Sequence, residues 1–343
     1  RASGAAGASG DEYSTAPSIS ADGRHVAFES NADNLSGEDA DAITDVFVRD
    51  LDLAVTELVS RASGPLGTPA DNYSTEASIS ADGRYVAFTS RAPLSPDDFD
   101  EQSFPSDVFL RDRAGATTIL VSRRSGAAGK PSEVESGEPS ISADGRYVAF
   151  ESDAKLTGQR GFGPNAFLRD TVGGTTKLVS VGEEPRAGNP KRNPSVSADG
   201  RYVVFSSNAA TLVASDTNGQ SDIFLRDRCV SNGVAVPACI PSTERVSLTE
   251  TDGEVDGDSE SPDVSADGRY VSFESSGTNL VAGASSGIVH IYVRDRVDGT
   301  TVLVDRNGAT IANLQSDYAD LAAGGRYVSF QSIATNLVPG LSG

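Results

Sequence analysis

The sequence predicts an all-β protein built from short antiparallel strands. A phrase related to Ser-x-Ser-Ala-Asp-Gly-Arg-Tyr-Val-Ala-Phe occurs five times, and a sixth, degraded copy covers residues 321–330. Asp-Gly between two segments of alternating apolar and polar residues is a strong hairpin signal, because glycine accepts a positive φ without steric cost. No window shows a sustained apolar period of 3.6 residues, so almost no helix is expected. The turn aspartates are Asp22, Asp82, Asp144, Asp199 and Asp267.

Each repeat is predicted to contain four strands, here called strands A to D. Strand A ends at the Ser-Ile-Ser step, and strand B is the Arg-Tyr-Val-Ala-Phe segment after the turn. Strand C is an Asp-x-Phe-x-Arg-Asp segment such as 107–112, and strand D is a threonine-rich run such as 117–122. Four-stranded units repeated around an axis form a β-propeller. The sequence therefore predicts a six-bladed β-propeller as a single domain over residues 1–343. The repeats cover approximately 13–60, 73–122, 135–180, 191–247, 259–304 and 316–343.

The repeat also resembles a known family. The phrase from Pro139 to Phe150, followed by an Asp-x-Phe-x-Arg-Asp strand, is similar to the TolB-type, WD-repeat-like propeller repeat of bacterial envelope and secreted proteins. That family's tryptophan is replaced here by isoleucine, valine or leucine, and its proline before Asp-Gly by alanine, so the resemblance is to the repeat class and not to TolB itself. It implies a binding platform, a scaffold or the non-catalytic gate of a larger hydrolase. Fold alone does not choose among these roles.

The two ends of the chain match different parts of the repeat. Residues 1–4 match residues 61–64, which follow strand D, and residues 335–338 match residues 278–281, which precede strand C. The sixth blade is therefore expected to lack strands C and D within this chain and to expose an unpaired strand edge. Two sources of the remaining strands are open: a longer polypeptide, which the absence of methionine also favours, and a neighbouring protein, through self-assembly or binding of a partner.

Composition excludes two classes of function. The chain carries 28 basic and 49 acidic residues, a net charge of −21, and such a field repels a polyanion unless basic residues are segregated. Arginines are instead spread along the whole length. No stretch approaches the roughly 20 apolar residues that a membrane-spanning helix needs. Neither nucleic-acid binding nor a membrane span is expected.

The acidic connectors between strands B and C are the candidates for a metal site. Two of them fit the pattern Asp-x-(Asn/Asp)-x-x-x-Asp, and oxygens at alternate positions of a tight loop can converge on one hard cation. Calcium is therefore the expected ion, with repeat four favoured over repeat one. The alternative is that these side chains form Asx-turns that cap the connector. The residues are Asp216, Asn218 and Asp222 in repeat four, and Asp39, Asp41 and Asp45 in repeat one.

No catalytic constellation is apparent from the sequence. The only two histidines, His25 and His290, replace a strand-B tyrosine and the first residue of a strand C, which are positions set by the repeat. There is no Gly-x-Ser-x-Gly elbow and no zinc-like Cys/His cluster. The arginine of each strand C is expected to form a structural pair with a nearby aspartate. The sequence predicts a non-enzyme.

The two cysteines indicate the compartment. Cys229 and Cys239 flank a long, polar turn between strands C and D of repeat four, and a disulfide that joins the two legs of this turn is expected. Disulfides persist in oxidising compartments, so an extracellular, periplasmic or cell-surface location follows. The predicted function is a non-catalytic secreted or cell-envelope propeller that binds a protein or has a structural role. The alternative is the propeller domain of a larger secreted hydrolase, such as a peptidase or glycosidase.

Overall fold

The computed structural model describes residues 1–4, 6–39, 41–98, 105–126, 129–158, 164–181, 193–284 and 287–338. The chain divides into two compact units, one of Arg1–Gln159 with Phe167–Leu178 and one of Arg160–Ala166 with Val179–Gly343. The described residues form strands and turns and contain no helix, as the absence of a helical apolar period predicts. None of them therefore forms a helix capable of crossing a membrane. The assignment of all six repeats to one domain stays a prediction.

Five sheets have four antiparallel strands each, in the order A-B-C-D. Their strands match the predicted segments, because Asp-Gly turns and alternating residues specify hairpins locally. The strands of the first three sheets are β1 Ser14–Ile19, β2 His25–Ser30, β3 Asp45–Asp50, β4 Val55–Leu58, β5 Ser74–Ile79, β6 Tyr85–Ser90, β7 Asp107–Asp112, β8 Thr117–Leu120, β9 Ser136–Ile141, β10 Tyr147–Ser152, β11 Asn165–Asp170 and β12 Thr175–Leu178.

The fourth and fifth sheets repeat the same order, with one inserted hairpin in the fourth. Their strands are β13 Ser195–Val196, β14 Tyr202–Ser207, β15 Asp222–Asp227, β18 Ser242–Arg245, β19 Ser259–Val264, β20 Tyr270–Ser275, β21 His290–Asp295 and β22 Thr300–Leu303. The inserted hairpin comprises β16 Val230–Ser231 and β17 Val234–Ala235, and a second small hairpin comprises β23 Arg306–Asn307 and β24 Thr310–Ile311. The sixth sheet, in the part of the chain described, is β25 Ser316–Leu321 and β26 Val328–Ser332. It thus contains only strands A and B, as predicted.

The core of each complete blade contains a stacked aromatic pair. The phenylalanine of strand B lies directly opposite the aromatic residue of strand C, as Phe88 does opposite Phe109. The ring centroids are 5.7 to 6.0 Å apart in all five complete blades. Both Phe88 and Phe109 are fully buried. Because such pairs add to the free energy gained from apolar burial, the recurring phenylalanines explain why each repeat folds in the same register.

The Asp-Gly turn also joins consecutive repeats within a unit. Gly83 has a φ of +71°, and a Cβ there would lie 2.4 Å from Nδ1 of His25, in the preceding blade. Gly145 has a φ of +75° and approaches the ring of Tyr85 in the same way. The amide of Ala81 donates to the carbonyl of Ala143 at 3.1 Å, which links the turns directly. Glycine is required here both for its backbone conformation and for this close approach.

Strand A carries a feature that the sequence did not indicate. In β5 and β9 the register shifts at a bulge, where Glu76 and Glu138 have positive φ values of 59° and 52°. The amide of Glu138 donates to Oε2 of Glu76, in the preceding blade, at 2.7 Å. The amide of Tyr318 donates to Oε1 of Glu274 at 2.8 Å. In these blades, a carboxylate from the preceding repeat thus satisfies an amide that the bulge frees from the ladder.

Candidate functional site

Most of the repeated polar side chains serve the architecture. The arginine that begins strand B forms an ion pair with the aspartate that ends strand C, as in Arg24–Asp50 at 2.7 Å. This hydrogen-bonded guanidinium lowers the pKa of Asp50 well below its usual range, since it stabilises the charged carboxylate. Equivalent pairs occur in the other four complete blades: Arg84–Asp112, Arg146–Asp170, Arg201–Asp227 and Arg269–Asp295.

The arginine within strand C has a different role from the one expected. Its Nη1 donates to the threonine hydroxyl of strand D at 3.0 to 3.1 Å in all five complete blades. Arg111 also donates to the carbonyl oxygens of Ala62 and Gly64 in the connector that precedes its blade. Among these five arginines, only Arg294 forms an ion pair with an aspartate in the described residues, Asp252. The predicted aspartate pairing is therefore wrong for Arg49, Arg111, Arg169 and Arg226.

The first residue of strand C is held by a side chain that follows strand D. Ser60 donates to Asp45, and Ser247 donates to Asp222 at 2.5 Å. In repeat five the same positions hold His290 and Asp305, both fully buried, with Nδ1 of the histidine 2.8 Å from the carboxylate. This histidine replaces the first member of the pair, as its place in the repeat predicts. It is a structural residue in this blade.

The connector of repeat one brings three carboxylates together. Asp39, Asp41 and Asp45 each place one oxygen within 4.8 Å of the others. Asp39 is 7% exposed and Asp45 1% exposed, whereas Asp41 lies at the surface. Asp39 Oδ1 accepts from the amide of Asp41 at 3.4 Å, and Asp41 Oδ1 accepts from the amide of Ile43 at 3.2 Å. The Asx-turn bonds, which were the alternative to a metal site, are therefore present in this connector.

Burial disfavours the charged forms of two of these carboxylates. It raises the pKa of Asp39 to about 6 and that of Asp45 to about 7, and the neighbouring carboxylates add to both shifts. Oδ2 of Asp39 is buried and has no hydrogen-bond partner. No arginine or lysine forms an ion pair with any of the three in the described part of the chain. The nearby Arg61 pairs with Glu38 instead.

The connector of repeat four has the same motif but contains a buried arginine. Nη1 of Arg245 lies 2.8 Å from Glu254, 3.4 Å from Asp222 and 3.8 Å from Asp216. The side chains of Arg245, Asp222 and Asp216 are 5% exposed or less. Burial still raises the pKa of Asp216, and the carboxylate of Asp222 adds to this, while Arg245 opposes it. The positive charge inside this connector is thus supplied by the protein itself.

The amide of Asn218 also acts within the connector. Its Nδ2 donates to Asp222 at 3.2 Å and to the carbonyl of Val255 at 3.0 Å, and its Oδ1 accepts from the amide of Gln220 at 3.0 Å. The structure therefore brings together all three predicted residues of repeat four, but in a hydrogen-bonded arrangement around Arg245. The role of either set in binding a metal stays a prediction.

Sequence reasoning overlooked Arg245, although a signal was available. In β18 this residue pairs with Phe224, and in the other complete blades the corresponding strand-D residue is a leucine. A buried arginine where the repeat otherwise has leucine requires acidic partners, and the adjacent connector provides them. The leucines are Leu58, Leu120, Leu178 and Leu303.

The two cysteines form the expected disulfide. Cys229 and Cys239 are joined, with their Cα atoms 5.5 Å apart, and the bond closes the turn that contains β16 and β17. Sγ of Cys239 lies 3.7 Å from both Arg201 and Asp227. The bridge therefore packs against the ion pair of its own blade. A disulfide of this kind persists in an oxidising compartment.

The edge of β26 differs from the same edge in the complete blades. Phe330 is half-buried and has no aromatic stacking partner in the described residues, whereas Phe273 in the fifth blade is fully buried against Tyr292. Arg326 lies over the ring of Tyr327 and forms no ion pair within the described ranges. Tyr327 and Ile333 are 66% and 65% exposed. Among the described residues, no strand pairs with this edge of β26.

Comparison with known proteins supports the fold. No model of a protein family matches the chain, and no curated protein matches it in sequence. A solved structure of a putative TolB from Agrobacterium tumefaciens is similar over 94% of this chain and 91% of its own, with 18% identity and a TM-score of 0.51. The β-propeller domain of the Trilobed protease from Pyrococcus furiosus is similar over 92% of this chain and 77% of its own, with 12% identity and a TM-score of 0.50. The chain therefore has a TolB-like β-propeller fold made of four-stranded antiparallel blades.

Proposed function

We propose that this chain is a non-catalytic propeller module that works outside the cytoplasm and binds a protein partner by strand addition at the edge of β26. The observation that carries the proposal is the set of unpaired groups at this edge, Phe330 and Arg326 above all. Backbone groups at a strand edge bind an added strand, and side-chain pockets along it select the sequence. The side chains along this edge therefore favour a partner strand with complementary residues.

The fifth blade supports a specific expectation for the added strand. There Phe273 lies opposite Tyr292, and Tyr270 lies opposite Asp295, whose carboxylate pairs with Arg269. By the same register, a strand that pairs with β26 would place an aromatic residue opposite Phe330 and an aspartate or glutamate beside Arg326. We therefore expect the partner to provide a hairpin that resembles strands C and D of this repeat.

The use of the histidines supports a non-catalytic role. His290 is bonded to Asp305 inside the fifth blade, and the ring of His25 lies against Gly83 with its Nε2 3.5 Å from Asp50. Both side chains are held by the architecture of the repeat, and neither is paired with a serine or cysteine nucleophile in the described residues. The disulfide supports a location outside the cytoplasm.

Binding of a synthetic hairpin tests the proposal. A labelled peptide with the sequence of residues 288–305 should bind the full chain, as measured by fluorescence anisotropy, and Phe330→Ala should weaken this binding. A matched peptide with Tyr292→Ala and Asp295→Asn is the control and should bind at least about tenfold more weakly, since it loses the aromatic pair and the ion pair. Equal binding of the two peptides would contradict the proposed recognition.

Hydrogen exchange on the intact native polypeptide tests whether the edge is free. We expect the amides of β26 that point away from β25 to exchange rapidly without a partner and to become protected when the partner hairpin is added. Protection of these amides in the isolated native polypeptide would show that it supplies its own strand. The partner proposal would then be wrong.

A further inference from the structure

We propose that the connector of repeat one binds one calcium ion through Asp39, Asp41 and Asp45, and that Arg245 occupies the corresponding position in repeat four. The inference concerns a cation inside one blade and does not depend on the partner proposed for β26. In repeats one and four, the acidic side chains of the connector are thus neutralised by different positive charges, a calcium ion in repeat one and an arginine in repeat four.

The geometry of the three carboxylates suits a single ion. Their oxygens lie within 4.8 Å of one another, which is the separation expected of ligands that surround a cation with calcium–oxygen distances of about 2.3–2.6 Å. They come from positions 39, 41 and 45 of one short connector. Two of the three are already buried, and the third lies at the surface, where an ion can enter.

One buried carboxylate oxygen of the cluster accepts no hydrogen bond in the described residues. The Asx-turn bonds account for Oδ1 of Asp39 and Oδ1 of Asp41, and Ser60 donates to Oδ1 of Asp45. Oδ2 of Asp39 is left without a partner, although its side chain is more than nine-tenths buried. A buried polar atom without a partner is costly, and a bound cation would satisfy it. Capping of the connector therefore explains only part of this arrangement.

The charge of the cluster leads to the same conclusion. Asp39, Asp41 and Asp45 form no ion pair with a basic side chain in the described residues, and the arginine beside the connector is engaged by Glu38. Buried charges are normally paired with an opposite charge or bound to a metal. In repeat two the connector acid Asp97 is paired with Arg123. This pair is the counterpart of Arg61–Glu38 in repeat one, so in repeat one the arginine of the connector is already engaged and leaves the three aspartates without a basic partner in the described residues.

Repeat four provides the internal comparison. Its Asp216 and Asp222 correspond to Asp39 and Asp45, and the guanidinium of Arg245 reaches both of them as well as Glu254. Strand D of repeat one has Leu58 at the position of Arg245. The leucine cannot supply a charge, so the same acidic motif remains unneutralised in repeat one. Neither oxygen of Asp216 accepts a hydrogen bond within the described residues, so the difference between the two repeats is one of charge alone. The missing counter-charge is what favours the ion in repeat one over repeat four.

The donor atoms favour calcium over other divalent cations. All three side chains offer carboxylate oxygens, and the cluster includes no histidine or cysteine, which zinc and copper prefer. Magnesium requires a near-octahedral arrangement and releases its water reluctantly, whereas calcium accepts irregular sets of six to eight oxygens. Backbone carbonyls and water would complete the coordination of calcium in this connector.

Calorimetric titration of the chelator-treated full chain with calcium chloride tests the site. We expect one ion per chain and a higher melting temperature with calcium, and a much weaker response to magnesium chloride. Asp39→Asn and Asp41→Asn should each reduce the calcium affinity by at least about tenfold. Asp41 lies at the surface, so its variant reports on binding without a loss of folding. Asp216→Asn is the matched control in repeat four and should leave the affinity unchanged.

Two results would overturn the inference. The first is a wild-type chain with neither binding heat nor a change in melting temperature on addition of calcium. The second is an unchanged affinity in both Asp39→Asn and Asp41→Asn, which would place the ion elsewhere.

The variant Arg245→Leu tests the substitution of arginine for calcium directly. It gives repeat four the residue that repeat one has at Leu58, and it leaves Asp216, Asp222 and Glu254 without their cation. We expect the stoichiometry to rise from one calcium ion to two, with the second ion lost again on combination with Asp216→Asn. A folded Arg245→Leu chain that still binds a single ion would contradict the role assigned to Arg245.

Discussion

The connectors of repeats one and four share one acidic motif but differ in whether a basic side chain lies beside it. Both place two buried aspartates at the same points of the repeat, and both anchor the second of them to a serine that follows strand D. They differ in the middle residue of the motif, Asp41 in repeat one and Asn218 in repeat four. They also differ in one strand-D residue, Leu58 in repeat one and Arg245 in repeat four. The acidic motif alone therefore does not define a metal site. A residue far away in the sequence determines whether the negative charge of the motif is already balanced.

The largest expected effect is the loss of stability in Arg245→Leu. Removal of one partner from a buried ion pair leaves uncompensated charges and typically costs about 3–5 kcal/mol. Urea unfolding in the presence of a chelator measures this cost, and calcium should restore part of the loss. The control Arg91→Leu removes an exposed pair with Glu135 and should change stability by less than about 1 kcal/mol. Equal effects of the two variants would show that the cluster in repeat four is unimportant for stability.

Removal of the disulfide is expected to cause an intermediate loss of stability, confined to repeat four. Replacement of both Cys229 and Cys239 by serine opens a loop with a sequence separation of 10 residues, which by loop-closure entropy costs about 2–3 kcal/mol. Thermal unfolding of the double variant beside the wild type measures this loss. Calcium binding by repeat one should be unaffected in the same sample. A loss of calcium binding in the double variant would mean that the two repeats are not independent.

The smallest expected effect concerns the ion pair between strands B and C. Arg24 lowers the pKa of Asp50, so this pair stabilises the fold fully above the unfolded-state pKa of aspartate, and its contribution is lost as the pH falls through the lower folded-state value. Asp50→Asn should therefore reduce the difference in melting temperature between pH 7 and pH 3. Asp227→Asn in repeat four should act in the same direction. Burial raises the pKa of Asp227, but the hydrogen bonds from Arg201 and from the amide of Cys229, together with the charges of Arg201 and Arg296, lower it overall. If the two variants changed the difference in melting temperature in opposite directions, the ion pairs of the two repeats would not be equivalent.

Much of the fold could be predicted because its signals are local. The Asp-Gly turns, the alternating strand B and the Asp-x-Phe-x-Arg-Asp strand correctly located the blades, and the long turn in repeat four correctly indicated the disulfide. The bulges at Glu76 and Glu138 were not predicted, since each depends on a carboxylate from the preceding blade. The role of the strand-C arginines was predicted wrongly for a related reason. Their partners are backbone carbonyls and a threonine of the next strand, which no sequence motif marks.

The sequence by itself determined the order of strands A to D in each blade and the residues that could carry acidity, because turn chemistry and strand periodicity act over a few positions. Only the tertiary structure decided which acids share a site and which have a counter-charge. Pairing of β15 with β18 brings Arg245 beside Asp216 and Asp222, residues more than twenty positions away along the chain. Electrostatic balance in a buried connector depends on distance in space, and that distance is set by packing rather than by the motif.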